Sequence, residues 1–525
     1  MKRYHALLDE AAHPTTRLGR RSEQAVRSID HISLQLPYKR HRRGVIPIAH
    51  DVKEHDAIID ALGIHDPGYR NQWHLYNYAQ PKNDINITGV WQQGITGKNV
   101  VIALVDDGID YTSEDIKDNF FAKGSYDFND HVKLPMPRLP EDVHGTRCAG
   151  EVAAVRNNVC GVGIAYEAKV AGIRILSKDI TDADEALSLN YGYQDNHVYS
   201  CSWGPPDDGQ SLDGPHPVVM DAMVNAIKKG RGGKGTVFVF ASGNGGGFDD
   251  HCNCDGYTNS IYSVTVGAID RFNRHPYYSE ACSAMMVVTY SSGSGSFIYT
   301  TDNGKHECSA RHGGTSAAAP LVAGIYALVL SIRPDLTWRD IQHLTVRSAL
   351  PFNLDDGSWS KTAVGLMHSN LHGFGKIDTY GIVELAKNHT LVNPQTSIES
   401  KLSVVNQTIP HGEHGVNNTI VLTQAEMDAH QFQRLEHITV TADISHQRRG
   451  DVEVYLVSPQ NTVSKLSAMR KNDESKDGFR NWTFMTVKHW DEPALGAWTL
   501  NVRDKINPQM TGQVNHWKIK WWGSA

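Results

Sequence analysis

Apolar runs of strand length, separated by helical patterns, constrain this chain most. NVVIALV (99–105), HVYSCSW (197–203) and TVFVFAS (236–242) are apolar enough to be strands buried on both faces, with helical patterns between them. They predict an α/β core with a mainly parallel sheet. After the spacer TLVNPQTS (390–397) the texture changes. HITVTADI, DVEVYLVS, NWTFMTV, AWTLNVRD and HWKIKWW alternate with period two, which predicts an all-β sandwich or jelly roll. A length of 525 residues exceeds one core and agrees with two domains. The expected boundaries are a basic amino-terminal segment at 1–43, a linker at 44–62, the α/β domain at 63–393 and the β domain at 394–523.

In open α/β sheets, reacting groups gather beyond the carboxyl ends of the strands. Asp106 in VDDGID and Asn244 in ASGNGG each follow a strand run. His144 in DVHGTRCAG and Ser316 in GGTSAAAP each open a helical pattern, where the helix dipole favours negative charge. Singly, each has an ordinary reading: an Asp-Gly turn, a helix start, a serine N-cap. Together they make a nucleophilic hydrolase. A serine hydroxyl attacks a carbonyl when an imidazole takes its proton and a carboxylate fixes the imidazole's tautomer. The order Asp–His–Ser is that of subtilisin, and the Asn244 amide supplies a donor for the oxyanion.

Composition narrows the rest. With 40% hydrophobic and 21% charged residues the chain reads as ordinary and globular, and a net charge of −7 points to no nucleic-acid partner. Seven cysteines, an odd number, leave at least one free thiol. N-x-S/T sequons at Asn86, Asn388, Asn406, Asn417 and Asn481 support a secretory route. The most apolar stretch, 316–332, contains Pro320 and is read as a buried helix. MKRYHALLDE has no apolar signal core, so the sequence is expected to start downstream of its signal.

HGTRCAGEVAA, YSCSWGPPDDG, CNCDGYTNSIYSVTVGAID, YSEACSA and HGGTSAAAPL resemble the kexin and furin proprotein convertases of the subtilisin superfamily. VTYSSGSG, LTWRDIQ and GFGKIDTYGIVEL bring the resemblance nearest to the fungal kexins. It runs from about Asp66 through the β domain, which is similar to the convertase P domain. The resemblance implies a calcium-dependent serine endoprotease that cuts proproteins after Lys-Arg or Arg-Arg. Asp106, His144 and Ser316 match its triad and Asn244 its oxyanion donor. Asp207 and Asp255 match the pocket for the arginine before the cut, and Asp107 with Glu141 and Asp142 that for the next basic residue. Glu185 and Asp213 match acids that meet a basic residue further upstream. Fixed carboxylates offset the cost of desolvating a guanidinium, and repel one another when a neutral side chain enters.

The same resemblance implies two Ca2+ sites. Asp66, Asp115 and Asn157, with carbonyls at Val155, Val159 and Gly161, match one, although VRNNVCG (155–161) is one residue shorter than in furin. Asp207, Asp250 and Glu280 match the other, where a divalent ion balances crowded carboxylates. Asp127 and Asp130 match part of a third site without its further acid, and no third site is assigned. The family pattern pairs Cys160 with Cys308 and Cys252 with Cys282, leaving Cys148 free beside the catalytic histidine. Cys252-x-Cys254 with His251 lacks a second ligand pair for zinc. The resemblance implies an inhibitory propeptide that the chain removes itself; KR (39–40) and HRR (41–43) before Gly44 offer a first choice of cut between Arg43 and Gly44, a second after Arg40, and an internal one at Arg20-Arg21. The resemblance further implies the secretory pathway at the late Golgi, with a membrane anchor that is not visible in this sequence. Arg449-Gly450-Asp451 is read as a structural turn. Two other readings stand beside this one. A broad degradative subtilase is disfavoured by the pocket acids, and a non-enzymatic secreted binding protein by the intact triad.

Overall fold

Each of the three apolar runs becomes a fully buried central strand of one sheet in the computed structural model. The structure describes residues 49–525, with side chains from His55 onward. The expected cleavage pair Arg43-Gly44 lies outside them. The strands are β1 (Val101–Asp106), β2 (Tyr126–Asp127), β3 (Lys169–Arg174), β4 (Val198–Cys201), β5 (Val237–Ala241), β6 (Ser263–Ile269) and β7 (Val287–Tyr290). They lie in the order β2-β3-β1-β4-β5-β6-β7, with every neighbouring pair parallel. A strand in such a sheet has no solvent face, which is why these runs are apolar throughout rather than alternating.

The helix Thr315–Ile332 is buried from Thr315 through Leu330. It is long and apolar enough to cross a membrane, yet here it packs against the sheet as a core helix. Pro320 lies inside it and has no N–H for the carbonyl of Ser316. That carbonyl instead accepts from Ser202 Oγ at 3.1 Å and from Cys148 Sγ at 3.7 Å. The bond missing at Pro320 thus ties the Ser316 helix to the end of β4 and to the helix His144–Ala153.

Residues expected to be a linker form a helix, Ala49–Leu62. Ile58, Ile59 and Leu62 rest on the α/β core, and His55 is buried beside the rings of Tyr76 and Tyr78. Apolar residues on one helix face, with a docking surface to hand, outweigh the linker reading.

Two short hairpins, β8–β9 (Ile298–Thr301, Cys308–His312) and β10–β11 (Ser360–Lys361, Met367–His368), precede the second domain. Its strands are β12 (Gln395–Glu399), β13 (Ser403–Thr408), β14 (Gly412–Leu422), β15 (Arg434–His446) and β16 (Val452–Val457). β17 (Val463–Ser467), β18 (Phe479–Thr486), β19 (Gly496–Asp504) and β20 (Gly512–Ser524) follow. One antiparallel sheet runs β12-β20-β15-β18 with β13 also on β20, and the other runs β14-β19-β16-β17. Their inward residues, Trp498, Trp517 and Trp521 among them, make a second core. Both cores lie within the single unit Ile48–Ala525.

Candidate active site

The carboxyl end of β1 delivers Asp106, which is 2% exposed. Its two carboxylate oxygens each lie 2.9 Å from His144 Nδ1. A proton on Nδ1 therefore faces Asp106, which in the neutral ring leaves Nε2 free to accept one. Burial would lower the imidazole's pKa, but the Asp106 carboxylate holds it well above the ordinary value. The helix that starts at His144 has no side-chain cap of its own at Val143. Asp107, the residue after β1, caps it: its carboxylate accepts from the N–H of His144 at 2.9 Å and of Gly145 at 2.7 Å. Burial, and then the neighbouring Asp106, push Asp107 up to about 7.

Ser316 reaches the same place through Cys148. This thiol lies 3.9 Å from His144 Nδ1 while it donates to the Ser316 carbonyl. Burial pushes it up to about 12, so it stays protonated at neutral pH. On its other side stands His312 Nε2 at 3.6 Å. The Ser316 hydroxyl makes no hydrogen bond among the described residues and opens into a cavity of about 220 Å³. Asn244, Asp207 and Asp255 line that cavity with it. The Asn244 Oδ1 accepts from the N–H of Thr315 at 2.8 Å and its hydroxyl at 3.1 Å. The amide NH2 is thereby turned away from Thr315 and holds no acceptor of its own. Gly314, at φ +76°, lets the chain pass this close, since a Cβ there would meet Asn244 Oδ1 at 3.0 Å.

The acids divide by what they already hold. Asp255 lies on the cavity floor, and burial pushes it up to about 7. Asp207 accepts the Asn244 N–H at 2.7 Å. Asp213 and Asp255 face each other across a short backbone bridge, and the Tyr257 hydroxyl donates to Glu185. Glu185, Asp213 and Asp255 thus form one neighbourhood behind the cavity. Asp142 is placed differently from its neighbour Glu141. It is buried, and its Oδ2 takes the N–H groups of Arg138 and Leu139 and the Arg174 guanidinium, each at 3.0 Å. Arg174, fully buried at the end of β3, also bonds Asp127 and Asp130. A guanidinium from the chain therefore stands among the acids of the unassigned third ion site. Glu141 is exposed and is the open acid of its pair.

Two clusters carry the donor chemistry of a hard cation. In the first, Asp66 Oδ1 accepts the Asn157 N–H at 3.0 Å while the buried Oδ2 has no partner. Asp115 accepts from Asn157 Nδ2 and Thr301 Oγ1. Burial pushes Asp66 up to about 6 and Asp115 to about 7. The carbonyls of Val155, Val159 and Gly161 accept no hydrogen bond among the described residues. Orphaned oxygens around two strained carboxylates fit a calcium ion. In the second cluster, Glu280 takes the Gly245 N–H and Asp250 those of Gly209 and His251. Burial, and then the charges of Asp250 and Asp207, hold Glu280 well above its ordinary value. A divalent ion would relieve that repulsion. Disulfides join Cys160 to Cys308 and Cys252 to Cys282, and Cys148, Cys201 and Cys254 are free and buried.

Cys148, Thr315 and Arg174 are site residues that sequence reasoning left without a role or did not single out. Each acts through a contact distant in sequence, and only the free Cys148 four residues after His144 gave a signal.

The subtilase family profile matches residues 97–375, and that of the proprotein convertase P-domain matches residues 435–521. Protease KEX1 of Kluyveromyces lactis is 50% identical over 490 residues, covering 93% of this chain and 64% of its own. A dibasic-processing endoprotease of Schizosaccharomyces pombe is 46% identical, covering 99% of this chain and 75% of its own. The chain spans 48%, 57% and 51% of three further fungal relatives. A serine protease of Aeromonas sobria shares the fold, with a TM-score of 0.77 over 87% of this chain and 96% of that one at 22% identity.

Proposed function

The chain belongs to the subtilase family, with a convertase P domain behind its catalytic domain, and we propose that it is a calcium-dependent endoprotease that cuts proproteins after Lys-Arg or Arg-Arg. One observation carries this reading: Ser316, Asn244 and two carboxylates, Asp207 and Asp255, line a single cavity. The arginine before the cut enters there, and its guanidinium meets Asp255 and Asp207. This places the scissile carbonyl at Ser316 Oγ. His144 Nε2 takes the hydroxyl proton as Oγ attacks, and Asp106 stabilises the imidazolium. The Asn244 Nδ2 donates to the oxyanion. His144 then returns the proton to the leaving amine, and water hydrolyses the acyl-enzyme by the same exchange. The Ser316–His144 hydrogen bond closes when substrate fills the cleft, as is common in serine hydrolases.

Upstream, the edge of Asp107 and the open Glu141 meet the second basic residue, and Glu185 and Asp213 one further on. Asp142 supports this wall through Arg174 instead of touching substrate. Asp66, Asp115 and Asn157 would hold one calcium and Asp207, Asp250 and Glu280 the other. Bound there, such ions would supply positive charge that keeps these carboxylates ionised. Passage through the late secretory pathway, and inhibition by a propeptide ending at Arg43, belong to the same proposal.

Purified protein assayed on Lys-Arg, Arg-Arg, Ala-Arg and Ala-Ala peptides tests it. A hydrogen bond to a charged group contributes about 1.5–3 kcal/mol, so Lys-Arg is expected to exceed Ala-Arg by roughly tenfold to hundredfold in kcat/KM. Ala-Ala stays uncut, chelator abolishes turnover and added calcium restores it. Equal cleavage of all four would indicate a degradative subtilase, and full activity in excess chelator would reject the ion sites.

A further inference from the structure

The loop 207–213 carries Asp207 at one end and Asp213 at the other, and both ends are exposed. Inside the loop, Asp208 Oδ1 collects the N–H groups of Gln210 and Ser211 at 2.8 and 2.7 Å. The Gly209 N–H donates to Asp250 Oδ2 at 2.9 Å. The carbonyls of Gln210 and Ser211 turn outward, and both are taken by the P domain. Arg470 Nη2 donates to Gln210 O at 2.8 Å and Nη1 to Ser211 O at 2.6 Å. The same Nη1 donates to Asp250 Oδ1 at 3.0 Å. Arg449 Nη2 adds a second bond to Gln210 O at 2.6 Å.

Both arginines are themselves fixed. Arg449 Nε and Arg470 Nη2 share Asp473 Oδ2, and the Arg470 side chain is only 2% exposed. Gly450 lies between them, its N–H on the Asp473 carbonyl and its carbonyl on the Arg470 N–H, both at 3.0 Å. A Cβ at Gly450 would stand 2.2 Å from the Arg470 carbonyl. The Arg-Gly-Asp tripeptide is therefore the buried base of a knot that presents two guanidiniums, those of Arg449 and Arg470, to loop 207–213. A planar fork with fixed donor directions holds two adjacent carbonyls and a carboxylate at once, which an ammonium cannot do.

We propose that Arg470 is a positioning residue of the P domain: it fixes loop 207–213 and Asp250, and so sets how tightly the groove grips the arginine before the cut. This rests on the function proposed above. Arg470 touches no reacting atom, so its loss should weaken binding and spare the chemical step.

Arg470→Met is expected to raise KM on Lys-Arg peptides roughly tenfold or more, with kcat within about threefold, since two charge-assisted bonds to the loop and one to Asp250 are lost. Calorimetric binding of the same peptide to Ser316→Ala protein should weaken by the same factor when Arg470→Met is added. Glu436→Gln, at a part of the domain seam away from loop 207–213, is the control. It should lower the unfolding temperature and leave KM unchanged. Should Arg470→Met not fold, Asp473→Asn keeps both guanidiniums, removes the carboxylate that aligns them and carries the same expectation. Unchanged KM and unchanged peptide binding in these variants, or an equal rise in KM in Glu436→Gln, would overturn the proposal. Failure of the unaltered protein to cut any Lys-Arg peptide would instead overturn the functional reading beneath it.

Discussion

Thr315 decides which way the Asn244 amide faces. With Oδ1 held by the Thr315 N–H and hydroxyl, the amide presents Nδ2 as its free donor. Such a donor acts on charge that appears only in the transition state. Asn244→Ala is therefore expected to lower kcat by about 10²–10³, a size adopted from the same donor in subtilisin, while KM changes less than about threefold. Steady-state kinetics on a Lys-Arg peptide measure both. A raised KM at full kcat would show that Asn244 binds substrate and does not serve the oxyanion.

At the scale of an element, the helix His144–Ala153 begins where a carboxylate from the residue just after β1 caps it. Asp107→Ala leaves two N–H groups without that acceptor. It is expected to cost about 1–2 kcal/mol, seen as a lower urea midpoint at unchanged slope, and to lower kcat because His144 is the first residue of the frayed turn. Wild-type stability in this variant would reject the capping role. How such elements were legible differs. The strands β1, β4 and β5 were plain in the sequence because full burial demands continuous apolar runs, and Asp106 and His144 were legible as neighbours because each sits among small residues after a strand or before a helix. The tie of Asp142 to Arg174 was not plain. The arginine ends a strand, KVAGIR, 32 residues away, and nothing local distinguishes a neutralised acid from an open one. The helix Ala49–Leu62 was hidden in the same way, since its partners, Tyr76 and Tyr78, lie outside its own stretch.

Across the whole molecule, the two domains meet over a buried carboxylate. Glu436 accepts from Arg339 Nε at 2.9 Å and from His343 Nε2 at 2.8 Å. Trp490 Nε1 donates to the other ring nitrogen, so His343 is neutral and Arg339 alone supplies charge. Burial would raise Glu436, but the hydrogen bonds from His343 and Arg339 bring it down to about 2. A folded pKa below the unfolded value gives stability that is present above about 4.5 and is lost as pH falls towards 2. Between pH 5 and pH 2 the wild-type protein should lose about 3 kcal/mol more than Glu436→Gln, as read from urea unfolding at each pH. Equal losses would mean that the seam does not depend on this charge. The covalent link Cys160–Cys308 has a consequence of its own. It staples the loop of Val155, Val159 and Gly161 to β9, which ends four residues before Ser316, and it closes a ring of 148 residues. Chain entropy values such a ring at about 5 kcal/mol. A host cytosol rich in glutathione would forfeit that sum, so active protein should be obtained only where folding takes place in an oxidising lumen.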